Sequence, residues 1–429
     1  GASGRAAEGL LEESRRRTRA RAAGQERQEV QGGRQAKGGG YTLSVLCRTQ
    51  AQVEAALASP GVAEILVDFL EAKGVEAAVR QVQSMGKKAV AVAPRIIKPS
   101  EEKLWRWLVD LEPDAILVRS AGLLEQLAQE RDRRRAGKAY GPAGSGGESG
   151  RSAKGELPAL YGDFSLNAAN ELGAACLVEL GELRSLTPAH DLNALQLAQL
   201  QRGLLGAHDN GRLQGGDSEG GFKAGAPAEG VSPEGSGPKA AAAPLLECVV
   251  HTHLPLFHTE HCVFCRFLSD GQDFTDCGHP CERETLHLRG QDGGDHLVLA
   301  DLGCRNTVFN SKAQTAARYL PMLASSGYRR FRIELVDEPG EWVGPLVQRY
   351  DEAIQAAVDT AAGSDEGSSG AASEEGELLD ELLAWLEGVP DANGRAHGAT
   401  DGSLAISDER EWATLKPTAS ATARAAGRR

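Results

Sequence analysis

The sequence predicts an α/β fold, a (β/α)8 TIM-like barrel with a Cys-rich metal-binding excursion after strand seven. Three observations predict it. Short runs rich in Val, Ile and Leu recur along the chain and read as strands buried on both faces. Helix-like segments separate most of these runs, and parallel strands need such crossovers. The runs number eight, the count of a closed barrel. A doubly wound open sheet is the competing arrangement. No GxGxxG or P-loop pattern follows any run, which weighs against nucleotide binding.

Taken in order, the strands are expected over 41–48, 64–69, 89–95, 115–119, 160–167, 183–188, 247–253 and 330–336. Among the helices, 75–85 puts Val75, Ala78, Val79 and Val82 on one face. Residues 101–111 do the same with Leu104, Trp107, Leu108 and Leu111. Segments 168–180, 193–201, 313–324 and 347–358 follow the same rule. Stretches 1–40, 132–157, 203–243, 361–376 and 390–429 are expected to be disordered, because they lack the apolar residues that offset ordering entropy. The predicted organisation is therefore an arm over 1–40 and a barrel over 41–358. Insertions fall at 132–157 and 203–243, and a Cys-rich segment at 251–310. A largely disordered tail with a short helix covers 359–429.

The 429 residues carry a net charge of −13, which argues against a generally basic, nucleic-acid-binding surface. No apolar run is long enough to span a membrane. The arm is rich in Arg but also holds Glu8, Glu12, Glu13, Glu26 and Glu29, unlike a transit peptide. Since the chain starts at Gly1, a fragment of a longer product is expected.

In a barrel the chemistry sits at the carboxyl ends of the strands. Those ends carry Cys47–Arg48, Pro94–Arg95, Arg119, then Asp163, Ser165, Asn167 and Asn170, then His190, Asp191 and Asn193. Strand seven ends in His251 and His253, and strand eight carries Glu334, Asp337 and Glu338. Arg95, Arg119, Asp163 and Asn167 are the expected substrate-binding residues, since guanidinium groups suit carboxylate and phosphate. His251, His253, Asp163 and Glu334 are the catalytic candidates. Of the two histidines, one is expected to face the mouth and the other to be structural.

Five of the eight cysteines and seven of the ten histidines lie between His251 and Cys304. Cys262 and Cys265 are separated by two residues, Cys277 and Cys281 by three, and Cys304 follows after twenty-two more. Four thiolates hold a 4Fe–4S cluster or a tetrahedral zinc, and spacing leaves both open. Clustering at one site in a long chain without a signal peptide favours a metal in a reducing, intracellular compartment over disulfides. Cytoplasm and plastid both fit. Cys47, Cys176 and Cys248 lie in apolar runs and read as buried thiols, with Cys47 nearest the expected site.

The stretches HTHLPLFHTEHCVFCRFLSDGQDFTDCGHPCE, DLGCRNTVFN and YRRFRIELVDE resemble the collagenase-like peptidase family 32 of unknown catalytic type. LSVLCRT, VAPRI, ILVRS and YGDFSLNAAN look like the same family's barrel half. The resemblance covers roughly 41–358 and the carboxyl-terminal part of the family's longer, two-part members. It implies either proteolysis or oxygen-independent hydroxylation of an RNA nucleotide or a small aromatic substrate. It also implies a 4Fe–4S cluster over zinc, with Cys262, Cys265, Cys277 and Cys304 matching the cluster cysteines best and Cys281 a position used in a subset. Well-known members space the first two cysteines farther apart than Cys262 and Cys265.

The residues themselves favour redox chemistry over proteolysis. Neither GxSxG nor HExxH is present, and a thiol among four others reads as a ligand. A non-catalytic iron–sulfur partner protein is the third reading. Arg305, Lys312, Arg329, Arg330 and Arg332 suggest a local basic patch for RNA.

Overall fold

The computed structural model describes residues 40–69, 72, 74–136, 156–205, 246–273, 275–291, 293–301, 303–363, 369–389 and 398–406. The first part of the chain alternates strand and helix. It runs β1 (Thr42–Cys47), α1 (Gln50–Ala58), β2 (Val62–Val67), α2 (Val75–Ser84), β3 (Lys88–Val92), α3 (Glu102–Asp110) and β4 (Ala115–Val118). It continues through α4 (Ala121–Arg135), β5 (Ala159–Gly162), α5 (Glu171–Gly181), β6 (Ser185–Leu186), α6 (Ala194–Leu205) and β7 (Glu247–Thr252). Next come β8 (Pro255–Thr259), α7 (Val263–Leu268), β9 (Leu286–Arg289), β10 (Asp295–Asp301) and β11 (Arg305–Phe309). The chain ends in β12 (Ala313–Thr315), α8 (Leu320–Ser325), β13 (Arg330–Glu334), α9 (Gly340–Ala362), α10 (Ser369–Leu386) and β14 (Ala399–Thr400).

All eight expected strands exist, and they pair in parallel. The large sheet has ten strands in the order β14-β12-β7-β13-β1-β2-β3-β4-β5-β6. The hydrogen-bonded ladder is open between β6 and β7, where one parallel bridge joins Leu186 to Leu246. Neighbouring positions on a strand face two different layers. Leu43, Val45 and Cys47 pack beneath the helices. Leu46, with Leu66, Val90, Leu117 and Tyr161, packs on the opposite face. Burial of both faces explains the unbroken apolar runs.

That second face also carries charge. Arg330 reaches Glu64 at 2.6 Å and lies 5.1 Å over the Tyr161 ring. Arg332 is fully buried and meets Asp163, Glu247 and Glu334. Ser44 donates to Glu247 at 3.0 Å. Internal carboxylates therefore stand against arginines, the condition under which charge is tolerated away from water.

Local signals set the helix starts. Thr49 and Gln52 close a capping box ahead of α1, and Ser120 and Asn170 cap α4 and α5. Helix α2 buries Val75, Ala78, Val79 and Val82, the predicted face. Helix α3 buries Trp105, Leu108 and Val109, with Leu111 buried at its end, while Leu104 and Trp107 are half-buried. The buried face thus keeps Leu108 and Leu111 of the predicted stripe and adds Trp105 and Val109.

Other expectations change. The segment expected as a helix over 313–324 begins as β12, paired antiparallel to β7, and becomes helical at α8. The tail is more ordered than expected: α9 extends to Ala362, α10 occupies part of 361–376, and β14 pairs with β12. Most of the expected insertions at 132–157 and 203–243, and the arm before residue 40, lie outside the described residues. The Cys-rich segment folds as a second sheet, antiparallel, ordered β8-β11-β10-β9.

Candidate functional site

A cavity of about 100 Å³ lies between the two sheets. Its floor comes from the carboxyl ends of the parallel strands: Arg48 after β1, Asp68 and Phe69 after β2, Arg95 after β3, Arg119 after β4, Phe164 after β5 and Glu334 at the end of β13. The small sheet covers it with Pro255 of β8, Leu299, Ala300 and Asp301 of β10, and Thr307 and Phe309 of β11.

Two of the three cavity arginines are already engaged. Arg119 binds Asp68 in a fork at 3.1 and 2.9 Å and Asp163 at 3.0 Å. Arg48 contacts Asp68 at 3.4 Å and donates to the Leu335 carbonyl. Arg95 forms no ion pair among the described residues, and its guanidinium lies 5.0 Å over the Phe164 ring. Burial, then neighbouring Arg119, push its pKa down. A stacked guanidinium without a carboxylate partner has the chemistry to receive an anion.

The acids differ as sharply. Asp163 is fully buried behind Arg119, and Arg332 and Arg119 together outweigh burial and hold its carboxyl well below the usual range. Asp301 goes the other way: burial, then the nearby Asp68 carboxylate, push it up to about 7. Glu334 accepts from the Thr252 hydroxyl at 2.9 Å. Arg332 Nη2 stands 3.0 Å from Glu334 Oε1 without hydrogen-bond alignment, so that oxygen is buried and unsatisfied. His190 meets the Phe164 ring at 3.9 Å between centroids, and burial pushes its pKa down against the pull of Glu334 and Asp163.

The small sheet has two distinct faces because strand residues alternate. Leu297 and Phe309, with Leu299, pack against Val336 on the cavity side. Val298, Ala300 and Val308 pack with Phe264, Cys262 and Cys281 on the other. Buried Arg305 docks the small sheet: its Nε donates to Glu260 at 2.8 Å and its Nη2 to Glu101 at 3.0 Å.

The five cysteines of this segment share one neighbourhood. The Cys262 sulfur accepts from the Cys265 amide and from Asn306 Nδ2. Burial, then the Cys262 thiolate, push Cys281 up to about 11. Cys304 is raised by burial and by Cys262, Cys277 and Cys265, and Cys265 by burial and by Cys277 and Cys262. Mutual repulsion of this kind is what a bound cation reverses. Among the described residues, however, no three His, Cys, Asp or Glu side chains are drawn into a finished ion site. The thiols converge, therefore, without closing on a common centre.

The predicted residues scatter around this geometry. Arg95, Arg119 and Glu334 line the cavity, while Asp163 stands behind it. Asn167 is exposed, with a left-handed backbone (φ 59°) at the end of a short turn, and is not among the lining residues. His251 meets Tyr350 at 3.2 Å and Glu338 at 3.3 Å, and His253 meets the Asn310 carbonyl at 2.8 Å; neither lines the cavity. Cys47 is buried under the helices, where burial pushes its thiol up, and does not approach the site. No cysteine lines the cavity, so the thiols lie beyond the small sheet rather than at the mouth. Of the residues expected in a basic patch, Arg305, Arg330 and Arg332 are buried in ion pairs, Arg329 donates to two backbone carbonyls, and Lys312 is exposed.

Asp68, Asp301, Thr307 and Phe309 were not anticipated. Asp68 sits at a strand end, where the rule used for the other strands applies equally. The last three follow from period-two alternation within 295–309, hidden by the cysteine spacing.

No family model and no curated protein matches the chain. Among solved structures, one titled "The Structure of the U32 Peptidase Mk0906" aligns with 72% of this chain and 98% of that one, at 12% identity and a TM-score of 0.34. A likeness this weak bears on neither fold nor activity. No helix among the described residues is long and apolar enough to cross a membrane.

Proposed function

We propose that the protein is an enzyme that anchors a small substrate by its carboxylate or phosphate on Arg95, at the carboxyl end of a TIM-like (β/α)8 sheet. The observation that carries the anchor is Arg95 itself, stacked on Phe164 and without an ion pair among the described residues. The TIM-like curl is supported by the Leu186–Leu246 bridge and by side chains meeting across the sheet, Arg330 with Ser185 and Glu64, and Arg332 with Asp163.

We further propose that the clustered cysteines hold a 4Fe–4S cluster, with zinc as the alternative. Cys262, Cys265, Cys277 and Cys304 are the ligands suggested by the family resemblance, with Cys281 beside them. When bound, the cluster would supply one-electron chemistry, and Asn306 would hold the Cys262 sulfur. Arg95 would orient the substrate, and Phe69, Phe164 and Phe309 would exclude water from it. Hydroxylation of an RNA nucleotide or small aromatic substrate is the reaction the family resemblance implies for such a cluster. Proteolysis is the weaker reading: among the described lining residues only Thr307 carries a hydroxyl and none a thiol.

Two measurements test these proposals. Protein purified without oxygen is expected to be coloured and to contain iron and sulfide; a colourless protein with stoichiometric zinc removes the cluster. Calorimetry with benzoate and with sulfate is expected to show binding that Arg95→Ala abolishes. If neither anion binds, the anchor is wrong.

A further inference from the structure

The cavity side of the small sheet gathers three polar side chains. β8 contributes His258, β10 Asp301 and β11 Thr307. His258 and Thr307 are directly paired across the strands, and His258 Nδ1 lies 2.8 Å from the Thr307 hydroxyl oxygen. The same nitrogen lies 3.9 Å from Asp301 Oδ2. Asp301 and Thr307 both line the cavity, so His258 reaches it through the Thr307 hydroxyl. Two polar atoms here are buried without a hydrogen-bond partner among the described residues, Asp301 Oδ1 and His258 Nε2. Such atoms cost stability unless something uses them.

The arrangement is not that of an acyl-transfer triad. There the acid orients one ring nitrogen while the hydroxyl meets the other. Here both approach Nδ1. An acid and a base with matched environments at one cavity is instead a proton-transfer arrangement.

We propose that Asp301 and His258 form the proton-transfer pair of this cavity, acting on a carboxylate- or phosphate-bearing substrate held at Arg95. The proposal rests on the anchoring role given to Arg95 above. Asp301 delivers its proton to the substrate atom that gains electron density. His258 takes a proton from the substrate through Thr307, and the exchange balances with no other reactant. The groups facing the pair are Asp68 after β2, Arg95 after β3, Arg119 after β4, and Glu260 and Arg305 on the small sheet. Burial, then Asp68, raise Asp301 to about 7, so its carboxyl still carries a proton for a large share of the time near neutrality, and burial, then Arg95, lower His258.

The consequence is proton-linked anion binding. Losing the Asp301 proton adds negative charge beside Arg95, so affinity falls as pH rises through about 7. Benzoate and sulfate are the probes, because neither titrates in this range. Wild-type affinity is expected to fall about tenfold from pH 6 to pH 8. Asp301→Asn is expected to bind as tightly at pH 8 as at pH 6. A flat wild-type profile overturns the pair. Anion binding that is missing in the wild type, or insensitive to Arg95→Ala, overturns the anchor instead. Carboxyl and imidazole NMR titrations of the wild-type chain then decide the pair by themselves. A carboxyl titrating near neutrality, absent in Asp301→Asn, with a neutral His258 ring at pH 7, supports it. No such carboxyl, or a charged His258 at pH 7, sinks it.

Discussion

Arg332, inside the large sheet, meets three carboxylates, whereas Arg95, in the cavity at the sheet's carboxyl end, meets none among the described residues. The two side chains carry the same charge on the same scaffold. Arg332 is fully buried and its partners come from β5, β7 and β13 and their ends, so its charge is spent on the fold. Arg95 is half-buried and rests on an aromatic face, leaving its donors for a visitor. The contrast teaches that an arginine count at strand ends says little. What matters is which guanidinium the acids have left unclaimed.

The largest expected effect breaks the closed side of this contrast. Arg332→Met takes the shared cation from buried Asp163, Glu247 and Glu334, leaving Asp163 only Arg119 and Glu247 only the longer contact to Arg330, and should cost about 3–5 kcal/mol in urea unfolding. A cost under about 1 kcal/mol would mean that the buried pairs are not load sharing as described.

Acid should act on a second closed site. Burial opposes ionisation of Glu338, yet the His251 hydrogen bond and His253 hold it at about 2. Its folded value is depressed, so its stabilisation is present above about pH 4.5 and disappears as pH falls toward 2. Roughly 3 kcal/mol is at stake, and Glu338→Gln should flatten that part of the stability–pH curve.

Arg305→Ala is the intermediate case, because its partner Glu260 is solvent-exposed while Arg305 is not. A loss of about 2 kcal/mol is expected, together with faster proteolysis of 255–309. An unchanged cleavage rate would show that the small sheet is docked by other contacts.

The smallest stability effect belongs to the open side. Arg95→Ala should change unfolding by no more than about 0.5 kcal/mol while removing benzoate and sulfate binding. A large destabilisation would move Arg95 into the same class as Arg332.

Much of the fold was legible in the sequence. Continuous apolar runs such as 115–119 and 247–253 can satisfy burial only as strands covered on both sides, and they do. The stripe of α3 was half legible: Leu108 and Leu111 are buried as spacing predicts, and the burial of Trp105 and Val109 depends on contact. The segment 313–324 was misread because Ala and Leu periodicity hid three residues that complete a sheet edge beside β7. At the site, strand-end residues from one local rule were recoverable, as with Arg95 and Arg119. Whether a residue is free or spent was not, since Asp163 and Arg332 stand 169 positions apart in the chain. The cysteines were visible as a group, but their side of the small sheet depends on strand alternation within a segment read only for ligand spacing.

Cys304 lies in the left-handed region at φ 59°, after Gly303 at φ 88°, and is bonded directly to Arg305. A Cβ at Gly303 would stand 2.6 Å from Arg305 Nη1, so the turn has room for glycine alone. One peptide plane thus separates a thiol on one side of the small sheet from the guanidinium that fastens the other. Peptide planes do not bend. A rotation imposed on Cys304 therefore has only the torsions flanking that plane and the Arg305 side chain in which to be absorbed before it reaches the grip that Arg305 keeps on Glu101 and Glu260.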